Sequence, residues 1–149
     1  MHENQIRHLV LMVEDDPLET ELARCAAVEF CHEFALVMLQ DADAVLDWLN
    51  DGVANSQQMP RVILIDLKLP KLEGLAVLRK LRMNAATSDI PIVAFSAEYA
   101  QADVLMSYQV GANSFVAKPA DLQQFTEFFR EQLPYWLQSR QRALTFAAQ

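Results

Sequence analysis

Short apolar runs alternate with stretches of helical periodicity five times along this chain, and few architectures accommodate that order. Residues 8–13 are apolar, bounded by acids, and predict a buried strand. Asp16 and Pro17 follow as a helix cap and first helical position, and Leu18, Leu22, Cys25 and Ala26 then recur at helical spacing. Residues 34–39 predict a second strand, with Asp41 capping a helix that carries Val45, Leu46 and Leu49. A polar loop spans residues 52–60. Residues 61–65 give the strongest strand signal, because successive Val, Ile and Leu residues imply burial on both faces. Leu75, Leu78 and Leu81 mark the next helix, and residues 90–95 a fourth strand with Pro91 near its start. Residues 98–110 predict a fourth helix stopped by Gly111, and residues 114–117 a short fifth strand. Asp121 opens a last helix bearing Leu122, Phe125, Phe129 and Leu133, of which Leu122, Phe125 and Phe129 share a core face; Pro134 should end or kink it.

Such alternation implies an α/β domain, a doubly wound parallel sheet with helices on both faces. The chain's 149 residues fit one such domain: a tail at 1–6, the domain at 7–137 and an extension at 138–149. About half the residues are apolar, enough for a core without metal or disulfide staples. Net charge is −8 and the Lys and Arg residues are scattered, so no basic stripe offers itself to nucleic acid and protein partners are expected. No apolar run reaches the roughly 20 residues that span a bilayer, and residues 1–6 hold no apolar signal core, so a cytoplasmic location is expected. Cys25 and Cys31 lack redox or metal spacing and read as reduced thiols, one buried and one near the surface. His2, His8 and His32 are isolated and read as ordinary residues.

In open parallel sheets, ligands sit beyond the carboxyl ends of the strands. Glu14, Asp15 and Asp16 follow the first predicted strand, Asp66 the third, Ser96 the fourth and Lys118 the fifth. Converging carboxylates repel one another and demand a cation. With no Cys or His nearby, the oxygen donors suit Mg²⁺ better than zinc. Lys118 adds further neutralisation, and a carboxylate beside both cations can attack phosphorus. Helix capping accounts for Asp16. It does not account for Asp66, which a loop follows, nor for Ser96 and Lys118 at matching strand ends.

These residues resemble the response-regulator receiver family. The likeness rests on residues 10–16, on Asp66 with Leu67 to Pro70 and Gly74, on residues 94–97, and on residues 111–119. It implies a flavodoxin-like (βα)5 fold with strand order 2-1-3-4-5. It implies that Asp66 is phosphorylated, that Glu14 and Asp15 form the acidic pair holding Mg²⁺ with Asp66, and that the Lys68 backbone carbonyl completes the protein ligands. Ser96 and Lys118 would contact the phosphoryl group, Ser96 and Phe115 would form the switch, and the Lys118–Pro119 bond would be cis. A histidine kinase is implied as phosphodonor, since this chain has no phosphate-binding Gly-rich loop and turns over no substrate of its own. A Lys68–Glu98 contact at the site mouth is a further expectation.

Only 31 residues follow Lys118, so output is expected through protein contacts, with a downstream target or a phosphotransfer protein. Phe128, Tyr135 and Trp136 exceed what one core face needs and predict a homodimer through the last helix and its extension. The loop after the second helix and the Tyr135–Trp136 ending resemble small regulators paired with bacterial phytochromes, implying a light-sensing kinase. Rival readings are weaker. A flavin-phosphate binder needs a Ser/Thr/Gly-rich loop where Glu14, Asp15 and Asp16 stand. A phosphohydrolase usually has an acid where Lys68 stands. The remaining alternative is a phosphorylation-independent interaction module on the same scaffold.

Overall fold

The computed structural model describes residues 8–54, 59–67, 74–96 and 101–138. The strands are β1 (His8–Val13), β2 (Phe34–Leu39), β3 (Val62–Asp66), β4 (Ile92–Ser96) and β5 (Ser114–Ala117). The helices between them are α1 (Pro17–Ala27), α2 (Ala42–Ala54), α3 (Gly74–Arg82) and α4 (Gln101–Val110); α5 (Leu122–Glu127) and α6 (Leu133–Gln138) follow β5. All strand pairs are parallel and the sheet order is β2-β1-β3-β4-β5. Five βα units therefore make a doubly wound, flavodoxin-like sheet, as the alternation predicts. Among the described residues, no helix is long and apolar enough to cross a membrane.

Alternation along the strands divides the core. Leu11, Val13, Ile63, Ile65, Ile92 and Ala94 pack with α2 and α3 on one face. Val10, Met12, Val62, Leu64, Val93 and Phe95 pack with α1, α5 and α6 on the other. All of these side chains are sealed from solvent, a gain of about 1.5–3 kcal/mol for each except the smaller Ala94. Such burial on both faces is why β1, β3 and β4 read as unbroken apolar runs.

Helix starts follow the expected caps. Asp16, Asp41 and Asp121 accept backbone N–H groups from Leu18, Ala44 and Gln124 at 3.1, 2.8 and 2.8 Å. Gly111 ends α4 at φ 131°, where its N–H and that of Ala112 both bond Ser107 O. A Cβ on Gly111 would lie 2.6 Å from Cγ of Arg82. That arginine closes α3, and its guanidinium donates to Thr87 O, Ile90 O and Gly111 O and to Asn113 Oδ1. One side chain thus ties the α3–β4 connection to the α4–β5 turn.

Several local expectations need correction. The helix α2 extends to Ala54, into the stretch read as loop. Leu18 and Leu122 are exposed, and so are both Cys25 and Cys31. The buried stripe of α1 passes through Ala23 and Ala26 instead, which turns Cys25 outward. Pro134 does not end the last helix. A π turn, Phe128–Gln132, joins α5 to α6, with Leu133 N–H bonding Phe128 O, five residues back. Pro134 is then the second residue of α6, where a missing N–H is tolerated. The wider turn also suits core residues at four-residue spacing, Phe125, Phe129, Leu133 and Leu137. Phe128, predicted at an interface, is buried at 3% exposure with its ring 5.0 Å from Phe95.

Candidate functional site

The carboxyl ends of β1, β3, β4 and β5 bring their trailing residues together. Register pairs Val13 with Ile65, Asp66 with Phe95 and Ser96 with Ala117, so Glu14 and Asp66 lie level at the sheet edge, with Ser96 one residue and Lys118 two residues beyond them. Backbone bonds hold that edge: Glu14 N–H to Leu39 O at 3.0 Å, and Lys118 N–H to Ser96 O at 3.0 Å. Lys118 reaches back across the sheet from β5, donating to Asp66 Oδ2 and, at 2.8 Å, to Glu14 Oε1. Glu14 Oε2 accepts the Asp16 N–H at 3.2 Å. The side chains of Glu14, Asp66 and Lys118 are 0%, 4% and 8% exposed.

Electrostatics follow from this burial. Loss of water pushes the Glu14 carboxyl above its ordinary range, partly offset by the Lys118 hydrogen bond. Burial alone would lower the Lys118 pKa. The hydrogen bonds to Asp66 and Glu14 outweigh it and hold the ammonium well above an ordinary lysine's range. Lys118 is therefore a fixed cation at neutral pH.

Ser96 is sealed from solvent. Phe115, half-buried on β5, packs against the α2–α3 core face, and its N–H donates to Tyr108 Oη at 3.2 Å. Asp15 is half-buried and lines a cleft with Glu14, Thr20, Arg24 and Gln40. The structure thus gathers Glu14, Asp66, Ser96 and Lys118 as the sequence predicts, with Asp15 adjoining. Lys68 and Glu98, and hence the expected carbonyl ligand and ion pair, lie outside the described residues. The Lys118–Pro119 bond is not cis, since no described peptide bond is; it keeps the trans form that X–Pro bonds intrinsically prefer.

Two neighbours, Glu19 and Tyr108, were not foreseen, and Gly74 was named without a structural reason. Glu19, in the first turn of α1, places Oε1 3.5 Å from Lys118 Nζ. An acid in a first helical turn reads as a response to the helix dipole, which hides this role. Gly74 opens α3 where a Cβ would fall 2.3 Å from Leu67 Cα and 2.5 Å from Asp66 O, so only glycine lets the helix start against Asp66. Tyr108 carries no sequence signal for its bond to β5.

Among the described residues the donor set is all hard oxygen, and the carboxylates outnumber the one ammonium. Among the described residues no three acid, His or Cys side chains make a cage for a metal unaided. Mg²⁺ needs no such cage: it keeps several waters and takes one or two carboxylates. The residues present fit it.

Comparison with known proteins agrees with this geometry. Response regulator Rcp1 of Synechocystis sp. is 26% identical over 132 residues, 88% of this chain and 90% of that protein. The Mn²⁺-bound crystal structure of Rcp1 superposes with a TM-score of 0.70, covering 89% of this chain and 96% of that one. The phosphorylated cyanobacterial phytochrome response regulator RcpA does so at 0.74 and 25% identity, with the same coverage. The bacteriophytochrome response regulator RtBRR is 33% identical at 0.65, covering 89% of this chain and 79% of that one. Residues 10–130 match the response regulator receiver domain, with the acidic pocket at one end of that match and its lysine at the other: this chain belongs to the response-regulator receiver family.

Proposed function

We propose that Asp66 accepts a phosphoryl group from a histidine kinase, with Mg²⁺ bound beside it, and that the modified chain signals through protein contacts. The single observation carrying this is the Lys118 bridge between the buried Asp66 and Glu14 carboxylates. An Asp66 oxygen bonds to phosphorus as the phosphorus–nitrogen bond of a phosphohistidine breaks, and the imidazole leaves. Lys118 offsets the charge on the transferring oxygens. Asp15, Asp66, Glu14 and the Lys68 carbonyl would hold the ion, which supplies further charge neutralisation to the phosphoryl oxygens. Ser96 then hydrogen-bonds the phosphoryl group, and Phe115 fills the space that Ser96 vacates, shifting the population of surfaces near α4 and β5. Hydrolysis of the acyl phosphate resets the chain, which acts on no separate substrate.

Rcp1, matched over nearly its whole length, supports a receiver-only regulator, and a cytoplasmic location goes with phosphotransfer from a histidine kinase. The names of RcpA and RtBRR support a phytochrome-type, light-sensing kinase as phosphodonor. The downstream partner is a target protein or a phosphotransfer protein. Tyr135, 51% exposed and edge-on to the half-buried Trp136 at 4.9 Å, supports a homodimer through α6; Phe128 takes no part. Treating the chain with acetyl phosphate and Mg²⁺ and measuring intact mass tests the reading. Wild type should gain one phosphoryl group and Asp66→Ala none. Equal gain in both, or none in either, rejects it in favour of a phosphorylation-independent module.

A further inference from the structure

Among the described residues the Lys118 ammonium has two hydrogen-bond partners, Asp66 and Glu14, and on the function proposed above both have other duties. Asp66 takes the phosphoryl group and Glu14 faces the cation. When a divalent ion draws on both carboxylates, the ammonium loses the charges that hold it, in a pocket nearly closed to water. Glu19 is the next oxygen available. Its Oε1 lies 3.5 Å from Nζ, is itself buried, and accepts no hydrogen bond among the described residues. The Asp16 cap and Pro17 start α1 here, placing Glu19 in its first turn on the side facing β5. A buried carboxylate oxygen without a hydrogen bond is costly unless some state of the protein uses it.

We propose that Glu19 is a positioning residue, the standby partner of Lys118. It receives the ammonium when metal engages Asp66 and Glu14, and so lowers the cost of loading the site. Glu19 acts through Lys118, not as a ligand. A third carboxylate attracts Mg²⁺ through space in any case, and that simple field effect does not depend on the lysine. The two roles therefore separate in a double-mutant cycle.

The test is Mg²⁺ affinity by isothermal titration calorimetry on the metal-free, unphosphorylated protein, for wild type, Glu19→Gln, Lys118→Met and the double variant. Lys118→Gln replaces Lys118→Met if the latter is unfolded. Glu19→Gln should weaken Mg²⁺ binding about three- to tenfold, the scale of one partly buried charge contact, with thermal stability little changed. In the Lys118 variant the same substitution should change affinity less than about twofold. Slower phosphorylation by acetyl phosphate at limiting Mg²⁺, restored at saturating Mg²⁺, should accompany the single change. Unaltered affinity in Glu19→Gln overturns the proposal, and so does an equal loss with and without Lys118. If wild type binds no Mg²⁺ at all, it is the reading of the function that fails.

Discussion

Replacing Lys118 with methionine isolates the electrostatics of the pocket. The substitution keeps most of the side chain's volume and removes its charge. It deletes the hydrogen bonds to Asp66 and Glu14 and leaves two carboxylates, 4% and 0% exposed, with no ammonium between them. Removing one partner of a buried ion pair costs about 3–5 kcal/mol. The lower end applies here, because Glu14 keeps the Asp16 N–H and its raised carboxyl can take up a proton. The expected loss in metal-free buffer near pH 8 is about 3 kcal/mol. The sign of its pH dependence is fixed. Burial already raises the Glu14 carboxyl above its unfolded value, and without the lysine nothing offsets that rise, so lowering the pH stabilises the variant. With each pKa unit equal to about 1.4 kcal/mol, about 1–2 kcal/mol of the deficit should disappear by pH 5. Urea unfolding followed by Trp48 and Trp136 fluorescence, with a chelator present, measures both quantities. A loss below about 1 kcal/mol near pH 8 would refute the reasoning, as would a deficit that does not depend on pH.

In wild type the opposite limb is informative. Lys118 keeps its proton above the ordinary 10.5, so its contribution is complete below that pH and is lost as the pH rises through the folded value. Urea unfolding from about pH 10.5 upward to pH 12 should show a steeper loss in wild type than in Lys118→Met. Gly74→Ala should cost about 2–3 kcal/mol and slow phosphorylation by acetyl phosphate, because the new methyl meets backbone at Leu67 and Asp66. Unchanged stability and rate would count against the close approach. Phe128→Ala should lose about 3–5 kcal/mol and Tyr135→Ala less than about 0.5 kcal/mol in urea. Only the tyrosine change, with Trp136→Ala, should shift a concentration-dependent sizing profile toward monomer.

How far this could be read from residues alone depended on the kind of pattern. Runs such as Val62 to Ile65 and caps such as Asp16 act locally, so the strands, helix starts and sheet class were legible. The pocket was legible because its residues follow strand ends, and a parallel sheet aligns strand ends whatever lies between them. Phe128 is surplus to one face of a uniform α-helix, yet it is buried, because the segment widens into a π turn at this residue. That turn answers to four-residue packing against Phe95 and Val93, which no local window contains. Glu19 was passed over because a first-turn acid has a sufficient local explanation. Its proximity to Lys118 is a fact about residues 99 positions apart, and only the fold supplies it.

The arginine that closes α3 has a consequence for movement. Its guanidinium pins Gly111 and Asn113, fixing the carboxyl end of α4 to the turn below the sheet. The helix spans ten residues, about 15 Å, and its amino end points toward the strand end that carries Ser96. A rod anchored at one end cannot slide when pushed at the other; it can only pivot. If Ser96 shifts on phosphorylation as proposed above, Arg82 is the fulcrum, and the displacement of the helix is largest at its near tip and smallest beside the clamp.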